Sequence, residues 1–121
     1  MVKIKRIYEP ASPADGRRIL VDRLWPRGLS RDKAGVHEWA KDVAPSDGLR
    51  RWFGHDPKKW AEFQKRYREE LVQHGALLEE LARGARRQTV TLLYGARDSE
   101  HNNAVVLKEL LEQLQKGKRR R

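Results

Sequence analysis

The chain has no cysteine. That excludes disulfide staples, thiolate metal sites and a cysteine nucleophile. It has no run of apolar residues near the roughly 18 that a membrane span needs, and no membrane partner is expected. The opening Met1-Val-Lys-Ile-Lys5 is basic but leads into no apolar stretch. No signal peptide is therefore expected, and the cytoplasm is the expected compartment. Apolar residues are scarce, at 38%, while 36% are charged. A chain of 121 residues then has material for one modest core and not two. Four tryptophans, three tyrosines and two phenylalanines are expected to supply much of its bulk. The four histidines, His37, His55, His74 and His101, are never three or four residues apart, so no helical metal site is expected. No phosphate-binding glycine loop and no nucleophile elbow is present, and the sequence names no cofactor.

What the chain has in excess is positive charge. The formal net charge is +10, and half of it lies in the last six residues, Lys116-Gly-Lys-Arg-Arg-Arg121. Residues 1–115 read as a single domain, and 116–121 as a disordered basic tail that has nothing to bury. The tail suits a phosphate-seeking arm for nucleic acid and equally a solubilising end without a partner.

Residues 2–8 alternate Val2 and Ile4 with Lys3 and Lys5, then slip to Ile7 and Tyr8, which predicts a strand. Ile19-Leu-Val-Asp22 is a short apolar run ending in charge, as buried strands are. Pro26-Arg-Gly28 cannot continue it. Ser30 offers a cap for a short helix, and 36–43 admits a strand or a loop. Ser46 and Gly54 bracket a helix through Phe53. Asp56-Pro57 starts another, whose stripe is Trp60, Phe63, Tyr67 and Leu71. His74-Gly75 should end it, and a further helical piece through Leu77, Leu78 and Leu81 should stop near Gly84. Thr89 to Tyr94 is the clearest strand. Asp98 or Ser99 is the expected cap of a last helix striped by Ala104, Leu107, Leu111 and Leu114. Strands alternating with helices predict an α/β fold: a small three-layer domain, its mostly parallel sheet flanked by helices.

In open α/β sheets, ligands bind beyond the carboxyl ends of the strands. Two such ends carry chemistry here. One is Asp22-Arg23-Leu24-Trp25-Pro26-Arg27; the other is Tyr94-Gly95-Ala96-Arg97-Asp98, leading to His101, Asn102 and Asn103. If their strands are neighbours, these segments meet. Arg23, Arg27 and Arg97 offer forked cations suited to phosphate or carboxylate. Gly95 allows close backbone approach. A helix start adds free N–H groups. Asp22 and His101 are the candidate proton-transfer groups. Arg23, Trp25, Arg27, Tyr94, Arg97, Asp98 and Asn102 are the candidate ligand-binding residues. The same residues admit a purely structural role, as Asp22–Arg97 or Asp98–Arg23 ion pairs with Asp98 as a helix cap. Trp52, Phe53, Trp60 and Phe63 also sit near Lys58, Lys59 and Arg66, as base-stacking residues would, although helical spacing favours core packing for Trp60 and Phe63. The expected partner is a phosphate-bearing or other anionic ligand, a nucleotide or a nucleic-acid end; the alternative is a non-catalytic, charge-driven nucleic-acid-binding module.

Several quoted motifs together resemble one family. They are Arg17-Arg-Ile-Leu-Val-Asp-Arg-Leu-Trp-Pro-Arg27 with Gly28-Leu-Ser30; Trp52-Phe-Gly-His-Asp-Pro57 before Trp60, Phe63 and Arg66-Tyr67; and Thr91-Leu-Leu-Tyr94 before Asp98, Glu100-His-Asn102 and Ala104-Val-Val-Leu107. The chain, up to about Gln115, is similar to the YeaO-like branch of the domain of unknown function 488 family. The resemblance implies a compact α/β domain with a parallel sheet. It also implies a strand ending in Asp and Arg, paired with a later strand that leads to an acidic–His segment. Some members of the broader family carry a cysteine near that segment; this chain has none, so the resemblance brings it no thiol chemistry. It implies no established activity.

Overall fold

Four parallel strands form the sheet, and the computed structural model describes residues 1–119 of the chain. They are β1 (Val2–Arg6), β2 (Arg17–Leu20), β3 (Glu38–Trp39) and β4 (Val90–Tyr94), in the spatial order β1-β4-β2-β3. The most apolar strand is thus central. All five residues of β4 are buried, as expected for a strand covered on both faces. Its neighbours are the two candidate strands: Ile4 faces Leu92 from β1, and Leu20 faces Leu93 from β2.

Four strand limits differ from expectation, the smallest being the start of β4 at Val90 and not Thr89. β1 stops at Arg6, because Glu9 N–H turns back to the Arg6 carbonyl; Ile7 still donates to Tyr94 at 2.8 Å. β2 begins two residues early and ends at Leu20, with one further ladder bond from Val21 N–H to the Leu93 carbonyl. Residues 36–43 resolve into the two-residue β3 and a 3-10 turn, Lys41–Val43.

The helices are α1 (Arg31–Ala34), α2 (Asp47–Phe53), α3 (Trp60–Leu71), α4 (Gly75–Arg87) and α5 (Asn103–Arg119). Ser30 caps α1, and Ser46 caps α2 by accepting from Leu49 N–H. Asp56 caps the 3-10 turn Pro57–Lys59 that leads into α3. α4 does not stop near Gly84. Leu78, Leu81, Ala82 and Ala85 keep one buried stripe running through the glycine, and packing outweighs the ~1 kcal/mol that a helical glycine costs. α5 starts at Asn103, not after Asp98 or Ser99, because Asn102 accepts from Val105 N–H and is its cap. Asp98 instead closes a turn, accepting from Glu100 and His101 N–H. Ser12 and Lys116 mark two further points: a capped 3-10 turn, Pro13–Asp15, precedes β2, and α5 carries on through Lys116 to Arg119. Residues 120–121 of the expected tail lie outside the described residues.

The main core lies on one face of the sheet. There Ile19, Val21, Val90, Leu92 and Tyr94 meet Phe53, Phe63, Tyr67, Leu81, Leu107 and Leu111 from the long helices. The opposite face has a thinner cover. Ile7, Leu20, Leu93 and Ala34 pack there beneath Trp25, Leu29, Val36 and Trp39. The four tryptophans are only half-buried, so the aromatic bulk of the core comes from Phe53, Phe63, Tyr67 and Tyr94. Among the described residues no helix is long and apolar enough to cross a membrane.

Candidate functional site

Because β2 and β4 are paired in parallel, both chains leave the sheet at the same edge and side by side. Asp22 and Gly95 follow two residues after the matched Leu20 and Leu93, and they are bonded. Asp22 Oδ2 accepts the Gly95 N–H at 2.8 Å. Asp22 Oδ1 accepts the Asn103 amide at 3.1 Å, and that amide also donates to the Val21 carbonyl at 2.8 Å. One carboxylate thus ties the ends of two strands to the start of α5. Gly95 fits because a Cβ there would stand 3.2 Å from Asp22 Oδ2. Burial pushes the Asp22 carboxyl above the usual aspartate value; the Gly95 N–H, Asn103, His55 and Arg50 pull against that without cancelling it.

Asp22 lies in the wall of a cavity of about 360 Å³, open at the strands' carboxyl edge. Phe53, Phe63, Trp25 and Pro45 give it apolar walls, and Arg23, Arg27, Arg50, His55 and His101 give it cations and imidazoles. Three guanidiniums against a single carboxylate leave the lining positive even with both imidazoles neutral. Arg23 Nε donates to the Pro45 carbonyl at 3.1 Å and stands 3.9 Å from Asp47, so it is positioned by the loop before α2. Arg50 shares Asp47, at 3.5 Å. His101 is held by Asp98, whose Oδ2 lies 2.8 Å from its Nδ1, and by Trp60, on which its ring stands edge-on at 5.2 Å. With Nδ1 engaged, Nε2 is the nitrogen left for a ligand. The Glu100 N–H and then His101 hold the Asp98 carboxyl below its usual range. His55 follows the left-handed Gly54 and is itself left-handed, at φ 58°. A non-glycine residue there is uncommon and costs about 1–3 kcal/mol; such residues cluster at functional sites.

The two segments singled out in the sequence meet as expected, although not every residue reaches the cavity. Asp22, Arg23, Trp25, Arg27, His101 and Asn102 line it. Asn102 is fully engaged in structure, donating to the Asp98 carbonyl and capping α5. Trp25 holds its own loop through Nε1 to the Leu29 carbonyl at 2.7 Å. Tyr94 lies in the main core, where burial raises its phenol pKa. Arg97 is exposed and away from the lining, and Asp98 acts only through His101. Neither proposed ion pair forms among the described residues: Asp22 is bonded to N–H groups, and Arg23 faces Asp47. Arg50 and His55 were not anticipated; Asn103 stood in the expected segment without a role, and Phe53 and Phe63 were read as core or base-stacking residues and not as walls of this cavity. The signal available for His55 was its place after a helix-closing glycine. Nothing local distinguishes Arg50 from Arg51. Among the described residues no cluster of His, Asp and Glu could hold a metal.

Residues 1–120 match the profile of DUF488-N3i, described as the inactive DUF488-N3 subclade. The uncharacterized protein YeaO of Escherichia coli K12 is 42% identical over 113 residues, 93% of this chain and 98% of that one. The uncharacterized proteins Mb3100c of Mycobacterium bovis and Rv3073c of Mycobacterium tuberculosis are each 44% identical over 110 residues, 91% of this chain and 92% of theirs. No solved structure matches.

Proposed function

We propose, from the premise that the chain belongs to the DUF488 family as a YeaO-like member of the subclade described as inactive DUF488-N3, that it binds a small phosphate-bearing ligand without turning it over. The observation that carries this is the positive, largely apolar-walled cavity at the joined ends of β2 and β4. Its size lies in the usual range of about 300–1,000 Å³ for small-molecule sites. Arg23 and Arg50 are the groups for the anion, since guanidinium forks match phosphate oxygens. Phe53, Phe63 and Trp25 offer surface to a ring or other apolar part. His101 Nε2 and the Asp22 carboxyl are the remaining polar contacts. The subclade's description supports binding over catalysis, although Asp22 and His101 keep the acid–base character that a reaction would need. The cytoplasm, where phosphorylated metabolites are plentiful, is the proposed location.

Calorimetric titration of AMP, ATP and inorganic phosphate into wild type, Arg23→Ala and Arg50→Ala tests the proposal. Losing a hydrogen-bonded charge costs about 1.5–3 kcal/mol, which is roughly ten- to a hundredfold in Kd. Each variant should weaken binding by that factor. Equal binding by all three proteins, or none by wild type, refutes the site.

A further inference from the structure

Tyr8, Trp25 and Trp39 lie at or just beyond the ends of β1, β2 and β3, and in a parallel sheet those ends share one edge. Each ring has a cation over it. Arg6 is 4.6 Å from the Tyr8 ring centre, Arg31 is 5.1 Å from Trp25 and 5.6 Å from Trp39, and Lys41 is 3.9 Å from Trp39. Four of the six cation–ring contacts among the described residues lie on this edge, the other two being on Trp52. The rings are physically joined: Trp25 and Trp39 meet edge to face at 5.4 Å, and the Tyr8 hydroxyl donates to the Arg27 carbonyl, two residues from Trp25.

The rings' polar atoms and Arg6 are used within the fold, Trp39 Nε1 donating to the Asp22 carbonyl at 2.7 Å and Arg6 Nε to the Ala96 carbonyl at 3.1 Å, but the outer ring surfaces, Arg31 and Lys41 stay open to solvent. Tyr8 is 40% exposed, both tryptophans are half-buried, and Arg31 and Lys41 are exposed. Among the described residues neither Arg31 nor Lys41 is paired with a carboxylate. Free cations interleaved with accessible rings suit a polyanion whose own units are flat. Phosphates meet the charges, and bases stack on the rings or on the guanidinium planes. A duplex hides its base faces, so the polymer must be single-stranded. We infer that this edge is a binding strip for single-stranded nucleic acid, formed by Tyr8, Trp25 and Trp39 with Arg6, Arg31 and Lys41. It does not depend on the cavity being a ligand site, although Trp25 belongs to both.

The test is fluorescence anisotropy with labelled oligouridine and oligothymidine of about 16 nucleotides, the upper end of single-strand site sizes. Full-length wild type is compared with Arg31→Ala/Lys41→Ala and with Arg86→Ala/Arg87→Ala. The second pair removes the same charge from exposed positions at the end of α4, beside the opposite edge of the sheet. Melting curves check that both variants are folded. The strip variant should bind about tenfold or more weakly, and the matched control within about twofold of wild type. Arg50→Ala should leave this binding unchanged, which separates it from the cavity. An equal loss in both double variants overturns the inference. So does a duplex bound as tightly as the single strands, base-free polyphosphate competing as well as they do, or no binding by wild type.

Discussion

Replacing Asp22 by alanine removes the side chain that, among the described residues, joins β2, β4 and α5. Its carboxylate accepts from Gly95 N–H and from the Asn103 amide. A hydrogen bond to a charged group contributes about 1.5–3 kcal/mol. Two of them are offset by the cost of keeping the carboxylate away from water, and Asn103 retains its bond to the Val21 carbonyl. The net loss expected at neutral pH is about 2 kcal/mol, or roughly 8 °C in Tm for a domain of this size. The pH dependence is the sharper part. Burial holds the folded pKa of Asp22 above the ordinary 3.8, so ionisation is harder in the folded chain than in the unfolded one. Its stabilising contribution is then complete below 3.8, declines as pH rises through the raised folded value, and is level above it. Thermal melts of wild type and Asp22→Ala followed by circular dichroism should show a Tm gap widest near about pH 4 and narrower at neutral pH. A gap that grows with pH would mean an aspartate stabilised as an anion, and no gap would mean the clamp does not hold the edge; either result refutes the reasoning.

Two further expectations concern other charged groups. Asp15 is buried beside Arg18, at 2.6 Å, and Lys5, at 3.1 Å. Burial raises its pKa, but the Ser12 N–H, Lys5 and Arg18 together outweigh it and leave the pKa lowered. Asp15→Ala should therefore cost about 3–5 kcal/mol in urea unfolding at neutral pH, because it strands a buried guanidinium; a loss under about 1 kcal/mol would show that Arg18 is satisfied by the Gly35 and Ala34 carbonyls alone. Nitrogen NMR of neutral His101 should show the proton on Nδ1, facing Asp98, and Asp98→Ala should shift the tautomer towards Nε2–H. Finding Nε2–H in the wild type would remove the case that Nε2 is free to accept from a ligand.

Some of this was legible in the sequence because it depends on single residues that mean one thing. Ser46 with Gly54, and Asp56 with Pro57, bracket helices by backbone chemistry that packing does not override. Asp98 was misread because an aspartate that closes a turn and one that caps a helix use the same acceptor. Asn102, four residues on, is the cap. The end of α4 was misplaced because Gly84 is a stop signal only where nothing beyond it is buried, and Ala85 is fully buried. Tyr94 was placed in the site for ending a strand, whereas its side chain points into the main core.

The site shows the same division. Once β2 and β4 are parallel neighbours, matching Leu20 with Leu93 forces residues 22 and 95 to leave the sheet together. The Asp22–Gly95 bond is therefore a consequence of strand order and register; the apolar runs mark the two strands, while their adjacency is set by the packing of the whole sheet. Arg50 and His55 arrive differently. They depend on the phase of α2, which is set by burying Leu49 and Phe53, and on the left-handed step that Gly54 opens and His55 extends. One position of drift in that helix would put Arg51 at the cavity instead. The clamp and the cations are thus separately encoded. Substitutions in residues 47–55 should alter the proposed contacts at Arg50 and His55 while the strand ends stay joined, whereas loss of Asp22 should loosen the edge from which Arg23 and the start of α5 extend.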